Sequence, residues 1–251
     1  MIINNLKSRL ISKLEIKSDH VVKPIYFEGL KRVGNPETLA LEYYENGIDE
    51  IIYIDIVASL YRRSINFEQI KKTSQKVLVP ITVGGGVKSL DDFKKLFANG
   101  ADKVAINTHA LQHNADIINE ASNVFGSQSV VINIEAKNRG SWWECYSDNG
   151  RIPSGKNVVD WVTEATERGA GEILIQSVDK DGSKKGFDKL LINEIMRIST
   201  VPVIACSGAG SIEHIADLYK KNQPSAIAMG SILHYKNISI KQLREKLNEI
   251  S

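Results

Sequence analysis

Along the chain, short runs of β-branched residues alternate with stretches whose apolar positions recur every three or four residues. The runs fall at 9–16, 50–57, 80–84, 103–106, 129–135, 172–176, 202–206 and 226–230, most of them bounded by Gly, Pro, Asn or Asp. Short, almost wholly apolar segments of this kind are what strands covered by helices look like. Between them, 67–76 sets Phe67 and Ile70 on one helical face, and 90–98 does the same with Phe93, Leu96 and Phe97. The stretches 158–168, 189–198 and 212–221 read similarly. Asn35 before Pro36, Ser89 and Ser211 mark helix starts, each ahead of acidic residues in the first turn. Strict alternation predicts a parallel sheet, because each parallel crossover requires a helix. Two segments break the rhythm. One is a turn-rich insertion over 17–27, after the first strand. The other is 141–151, where Trp142, Trp143 and Tyr146 precede the tight-turn signal Asp148-Asn149-Gly150, predicting a loop hairpin at the mouth of the fold.

Eight strand–helix units in 251 residues give roughly 31 residues per unit. A closed (β/α)8 barrel typically needs about 250 residues, although the pattern alone also admits an open doubly wound sheet. The chain repeats itself after about 120 residues. GIDEIIYID from Gly47 returns as GAGEILIQS from Gly169, and Leu14-Glu15-Ile16-Lys17 as Ile134-Glu135-Ala136-Lys137. VGGGVKS around Gly84 answers CSGAGS around Gly208, and AINT ending at Thr108 answers AMGS ending at Ser231. The expected architecture is therefore α/β: one (β/α)8 TIM barrel domain over residues 1–251, made of two half-barrels of about 1–125 and 126–251.

Composition narrows the function. With 32 basic against 30 acidic side chains and a net charge of +2, the chain is not built to hold nucleic acid. No apolar run approaches a membrane span, and MIINNLKSRL lacks the order of a signal peptide. Two cysteines, Cys145 and Cys206, make no disulfide framework and suit a reducing cytoplasm, as small buried fillers.

Chemistry in such a barrel gathers at the C-terminal ends of the strands. Glu15 and Glu135 end the first and fifth strands, so they face each other across the mouth, where they can act as general acid and base; with Lys17 and Lys137 close by, they can equally be salt-bridged glutamates. Gly84, Gly85 and Gly86 end the third strand, and Ser207, Gly208 and Gly210 the seventh. Gly-rich turns offer backbone N–H groups to phosphate, although glycine also serves any tight turn. Asn107 with Thr108, and Gly230 with Ser231, add donors at the neighbouring strand ends, so two phosphates at opposite ends of one substrate are expected. Asp55, Gln176, Ser177, Asp179, Asp181 and Gly182 join them at the mouth. Asp179-Lys180-Asp181 lacks the later ligands of a calcium loop, and His20, His109, His113, His214 and His234 have no metal spacing. They read as surface or loop histidines, and neither a metal nor a cofactor is expected. At the opposite face Arg9, Glu50, Lys103 and Glu172 begin strands, as either a salt-bridged plug or a polar gate.

Taken together, the segments VVKPIYF from Val21, ITVGGGVKSLDD from Ile81, ANGADKVAINT from Ala98, FGSQSVV from Phe125, KDGSKKGFD from Lys180 and IACSGAG from Ile204 resemble the cyclase subunits of imidazole glycerol phosphate synthase. A sister isomerase of histidine biosynthesis shares the half-barrel pattern, and FGSQ with ADKVAINT points to the cyclase side. The resemblance covers essentially the whole chain. It implies a bis-phosphorylated substrate and a glutaminase subunit docked on the N-terminal face. Ammonia would pass a gate of Arg9, Glu50, Lys103 and Glu172. Acid/base catalysis at Glu15 and Glu135 would then yield imidazole glycerol phosphate and an aminoimidazole carboxamide ribotide. Lys23, Asp55 and both glycine loops match positions around the substrate. Five departures stand out. Both catalytic aspartates of the family are glutamates here, Lys13 stands for a cysteine, Gln176 for a threonine, and Ser207 for a glycine. Each added methylene moves a carboxylate by roughly 1–1.5 Å, and a displacement of about 1 Å can cost on the order of a hundredfold in rate. Two rival readings therefore stay open: support of sugar amidation in surface-polysaccharide synthesis, and a non-catalytic scaffold that activates a glutaminase.

Overall fold

The computed structural model describes residues 8–58, 61 and 65–250; the start of the segment read above for a leader, 1–7, lies outside them. In chain order the strands are β1 (Arg9–Lys17), β2 (His20–Ile25), β3 (Glu28–Gly34), β4 (Glu50–Asp55), β5 (Ile81–Gly84), β6 (Lys103–Ile106), β7 (Val130–Asn138), β8 (Trp143–Ser147), β9 (Ile152–Asn157), β10 (Glu172–Ser177), β11 (Val203–Cys206) and β12 (Ala226–Met229). The helices are α1 (Pro36–Glu45), α2 (Phe67–Ser74), α3 (Leu90–Ala98), α4 (Thr108–Gln112), α5 (Asp116–Phe125), α6 (Val158–Glu167), α7 (Lys189–Ile198), α8 (Ile212–Lys221), α9 (Ser231–His234) and α10 (Ile240–Ile250).

Eight strands pair in parallel in the order β10-β11-β12-β1-β4-β5-β6-β7, and β7 pairs back onto β10, so the sheet closes. The open-sheet alternative is thereby excluded. Side chains alternate between two cores, as the period-2 geometry of a strand requires. Ile11, Ile52, Val131, Leu174, Ile204 and Ala226 fill the barrel's inside. Leu10, Ile51, Val104, Ile132, Ile173 and Ile227 belong to the larger core beneath the helices.

The starts marked by cap residues form as the sequence implies. Asn35 Oδ1 accepts from the N–H groups of Glu37 and Thr38. Ser89 accepts from Asp92 N–H, while the Asp92 carboxylate accepts from Lys88 N–H, a reciprocal cap.

Two corrections concern the insertions. The segment after the first strand is an antiparallel hairpin, β2 on β1 and β3 on β2, rather than turns alone. Its tip bends at Tyr26 and Phe27, with φ of 52° and 64°, a left-handed turn built without glycine and so without the usual signal. The second insertion is longer than 141–151: β8 pairs with β7, and β9 runs to Asn157. Its tip, Asp148-Asn149-Gly150, is left-handed at all three residues. A third correction is His234, which is buried rather than a surface or loop residue: its ring bonds Tyr43 Oη at 2.7 Å and the Lys13 carbonyl at 3.1 Å. Both cysteines are buried and free. Among the described residues no helix is long and apolar enough to cross a membrane.

Candidate active site

The inward-facing residues stack in layers along the barrel axis. At the N-terminal end Arg9, Glu50, Lys103 and Glu172 meet in a closed ring. Arg9 bonds Glu50 at 2.5 Å and also Glu172, while Lys103 bonds Glu50 at 3.0 Å and Glu172 at 2.8 Å. Two cations and two anions alternate, so each buried carboxylate is neutralised by two partners. Above the ring lies the apolar layer of Ile11, Ile52, Val131 and Leu174. Above that runs a polar belt: Lys13 Nζ donates to Gln176 Oε1, and Gln176 Nε2 donates to Asn133 Oδ1 at 2.5 Å.

The two glutamates stand at the mouth in unlike surroundings. Glu15 is fully buried, with Lys13 Nζ donating to one carboxylate oxygen at 2.8 Å and Lys23 Nζ to the other. Lys23 also pairs with Asp181 at 3.1 Å. Burial by itself pushes the Glu15 carboxyl up, but the two ammonium groups outweigh it and hold it down at about 2. Glu135 accepts a 2.7 Å hydrogen bond from Gly150 N–H, and among the described residues no ion pair reaches it. Burial pushes its carboxyl up to about 7, against the opposing pull of Gly150 N–H and Lys13.

Glu135 opens on a cavity of about 660 Å³, which Asp55, Gly85, Gly86, Asn107 and Thr108 also line. Asn107 Oδ1 there is buried without a partner, an acceptor left for a donor from outside. Across the mouth Glu15, Lys23, Asp181, Gly182, Gly208, Gly230 and Ser231 line a cleft of only about 20 Å³. Of the mouth residues expected from the sequence, Gly84, Gln176, Ser177, Asp179 and Gly210 line neither space. Gln176 is sealed in the belt, and Gly210 packs so closely that an added Cβ would sit 2.1 Å from the Lys184 carbonyl. Gly85 and Gly208 are matched in detail: both have φ near +100°, and a Cβ on either would lie 2.2 Å from a carbonyl oxygen, that of Asp55 or of Gly186. Close backbone packing therefore demands these glycines whether or not a phosphate binds.

Some lining residues escaped the sequence reading: Gln112 and Asn133, with His109 and His113, which read as surface or loop histidines, line the large cavity, and Lys13 lines the cleft. Asp148 and Asn149, expected at the mouth, line the cavity, and Ser207, expected in the Gly-rich loop, lines the cleft. Lys13 and Asn133 carry a signal that was available: each lies two residues before a candidate glutamate, hence on the same inward face. Ser207 is held at φ 77° with its buried Oγ unpartnered. Phe27 caps the mouth from the first hairpin, its ring 5.7 Å from Lys13 Nζ, and its carbonyl accepts from Asn149 Nδ2 at 3.3 Å. Among the described residues no group of three or more His, Cys, Asp or Glu side chains is arranged to hold a metal.

The site can be set against known proteins. A sequence profile for the family described as "Histidine biosynthesis protein" matches residues 9–239. The "Imidazole glycerol phosphate synthase subunit HisF" of Thermococcus onnurineus is 43% identical over 244 residues, covering 97% of this chain and 96% of that protein. The proteins of the same name from Natranaerobius thermophilus and Helicobacter hepaticus are each 41% identical, with at least 97% of either chain covered. A closed barrel with two carboxylates at its mouth, matched end to end by these relatives, belongs to the histidine biosynthesis protein family.

Proposed function

We propose that the chain is the cyclase subunit of an imidazole glycerol phosphate synthase. It takes ammonia from a partner glutaminase and forms imidazole glycerol phosphate and an aminoimidazole carboxamide ribotide by acid/base catalysis. The relatives' name supports the enzyme and its class, and favours this acceptor over the sugar-amidation and scaffold readings. The observation that carries the chemistry is Glu135: a carboxyl with a pKa near 7 in a 660 Å³ cavity, beside the donors of Asn107 and Thr108. A group poised near the working pH can both give and take a proton.

One substrate phosphate would rest at Gly85, Gly86, Asn107 and Thr108. The other would enter the cleft at Gly182, Gly208, Gly230 and Ser231, taking over the ammonium of Lys23 from Asp181. The glutaminase would dock on the N-terminal face, against the ring of Arg9, Glu50, Lys103 and Glu172, which then serves as the ammonia gate. A reducing cytoplasm suits two free, buried cysteines.

The test supplies purified protein with an ammonium salt and the ribulosyl formimino intermediate, and follows imidazole glycerol phosphate. Turnover that disappears in Glu135→Ala is the expected result; no turnover by the intact protein overturns the reading.

A further inference from the structure

Glu15 has no oxygen left over. Lys13 Nζ sits 2.8 Å from Oε1, Lys23 Nζ holds Oε2, and the carboxylate has no exposure to solvent. Lys13 is itself pinned at its far side by Gln176, which Asn133 holds in turn. Phe27 lies over the same ammonium. Lys13 thus reaches from β1 to β10 and cannot leave Glu15 without breaking the belt. Glu135 is the opposite case: its partners are the neutral Gly150 N–H and the Asn107 side chain rather than ammonium groups, and a cavity lies in front of it.

We propose that Lys13 is a positioning residue that removes Glu15 from proton transfer, leaving it a fixed anion that seats the Lys13 and Lys23 ammonium groups, so that Glu135 alone exchanges protons with the substrate. The proposal rests on the cyclase reading for its reaction, but its structural half stands without it. One carboxyl then gives a proton and takes it back within a turnover, so the protein ends each cycle in its starting state. The charges around Glu15 come from every side: Lys13 on β1, Lys23 on β2, Asp181 and Cys206 beside the cleft, and neutral His234 behind. Around Glu135 stand Asn107, Asp148 and, further off, Lys13. The ordering of the two carboxyls, Glu15 near 2 and Glu135 near 7, agrees with the geometry.

The experiment is a carbon-13 NMR titration of glutamate side-chain carboxyls in the whole protein, without substrate, assigned with Glu15→Gln and Glu135→Gln. The Glu135 signal is expected to move with a midpoint near 7, and the Glu15 signal to stay still from about pH 5 to 9. In Lys13→Met the Glu15 signal should begin to titrate in that range, and the pH profile of ammonia-dependent turnover should gain a second ionisation. Lys13→Arg, which keeps the cation, should restore the single one. A Glu15 signal that titrates beside Glu135 in the unsubstituted protein overturns the proposal, and this measurement needs no variant to fold. So does a Lys13→Met protein whose Glu15 stays silent. Absence of turnover would count against the cyclase reading alone, because the titration is made without the reaction.

Discussion

Glu135 is held in a state that opposes folding. A carboxyl raised from 4.5 to about 7 binds a proton in the folded chain that the unfolded chain has released. Its contribution to stability therefore falls as pH climbs from about 4.5 to 7 and stays low above. Glu135→Gln should raise the melting temperature at pH 8, by the equivalent of about 2–3 kcal/mol, while abolishing turnover; calorimetry beside the ammonia assay checks both. Glu15 works the other way, because a carboxyl lowered to about 2 stabilises the fold above 4.5 and loses that contribution on acidification. Ser207 supplies a second residue-scale test. Its left-handed backbone costs about 1 kcal/mol in a non-glycine residue. Ser207→Gly should return that in a thermal melt. If its free Oγ meets a substrate phosphate, the same change should raise KM several-fold. Of these residues the glutamates were legible in the sequence, and Ser207 as a member of the Gly-rich loop. Lys13 and Ser207 stood out as departures from the family, but their roles depend on contacts between strands far apart in the chain.

At the level of elements, the eight barrel strands and most helices were readable, because each has a short apolar run or a 3.6-residue stripe between breakers. The hairpin β2–β3 was not, since its tip turns on Tyr26 and Phe27, aromatic residues that do not advertise a left-handed bend. The hairpin β8–β9 announced itself through Asp148-Asn149-Gly150, and its consequence for the site lies in Gly150. That residue has φ 70°, and a Cβ there would press on the Phe27 ring at 3.1 Å. Gly150→Ala should cost about 1 kcal/mol in backbone strain and weaken the N–H bond that draws the Glu135 carboxyl downward. The acidic limb of the turnover profile is then expected to move to higher pH. An unmoved limb would mean that the turn does not tune Glu135.

Across the whole molecule, the likeness of the two halves hides a functional asymmetry. Repeated motifs predicted matched sites; the structure has one wide cavity beside Glu135 and one narrow cleft filled by the Lys23 ion pairs. No single-sequence pattern reports this, since the difference arises from what the first hairpin lays across the mouth. At the other end of the barrel, Lys103→Ala should lower glutamine-dependent turnover of the complete synthase several-fold more than turnover on free ammonia. Equal losses would count against passage through the ring. The ring's connectivity also sets how such changes are tolerated. Four links joined in a circle survive the loss of any one member as an unbroken chain: without Lys103, Arg9 still bridges both glutamates, and without Arg9, Lys103 does. Only the loss of both cations strands Glu50 and Glu172 as two buried like charges. Redundancy of this kind means that the ion pairs on one side of the ring suffice to link both glutamates across the barrel's floor.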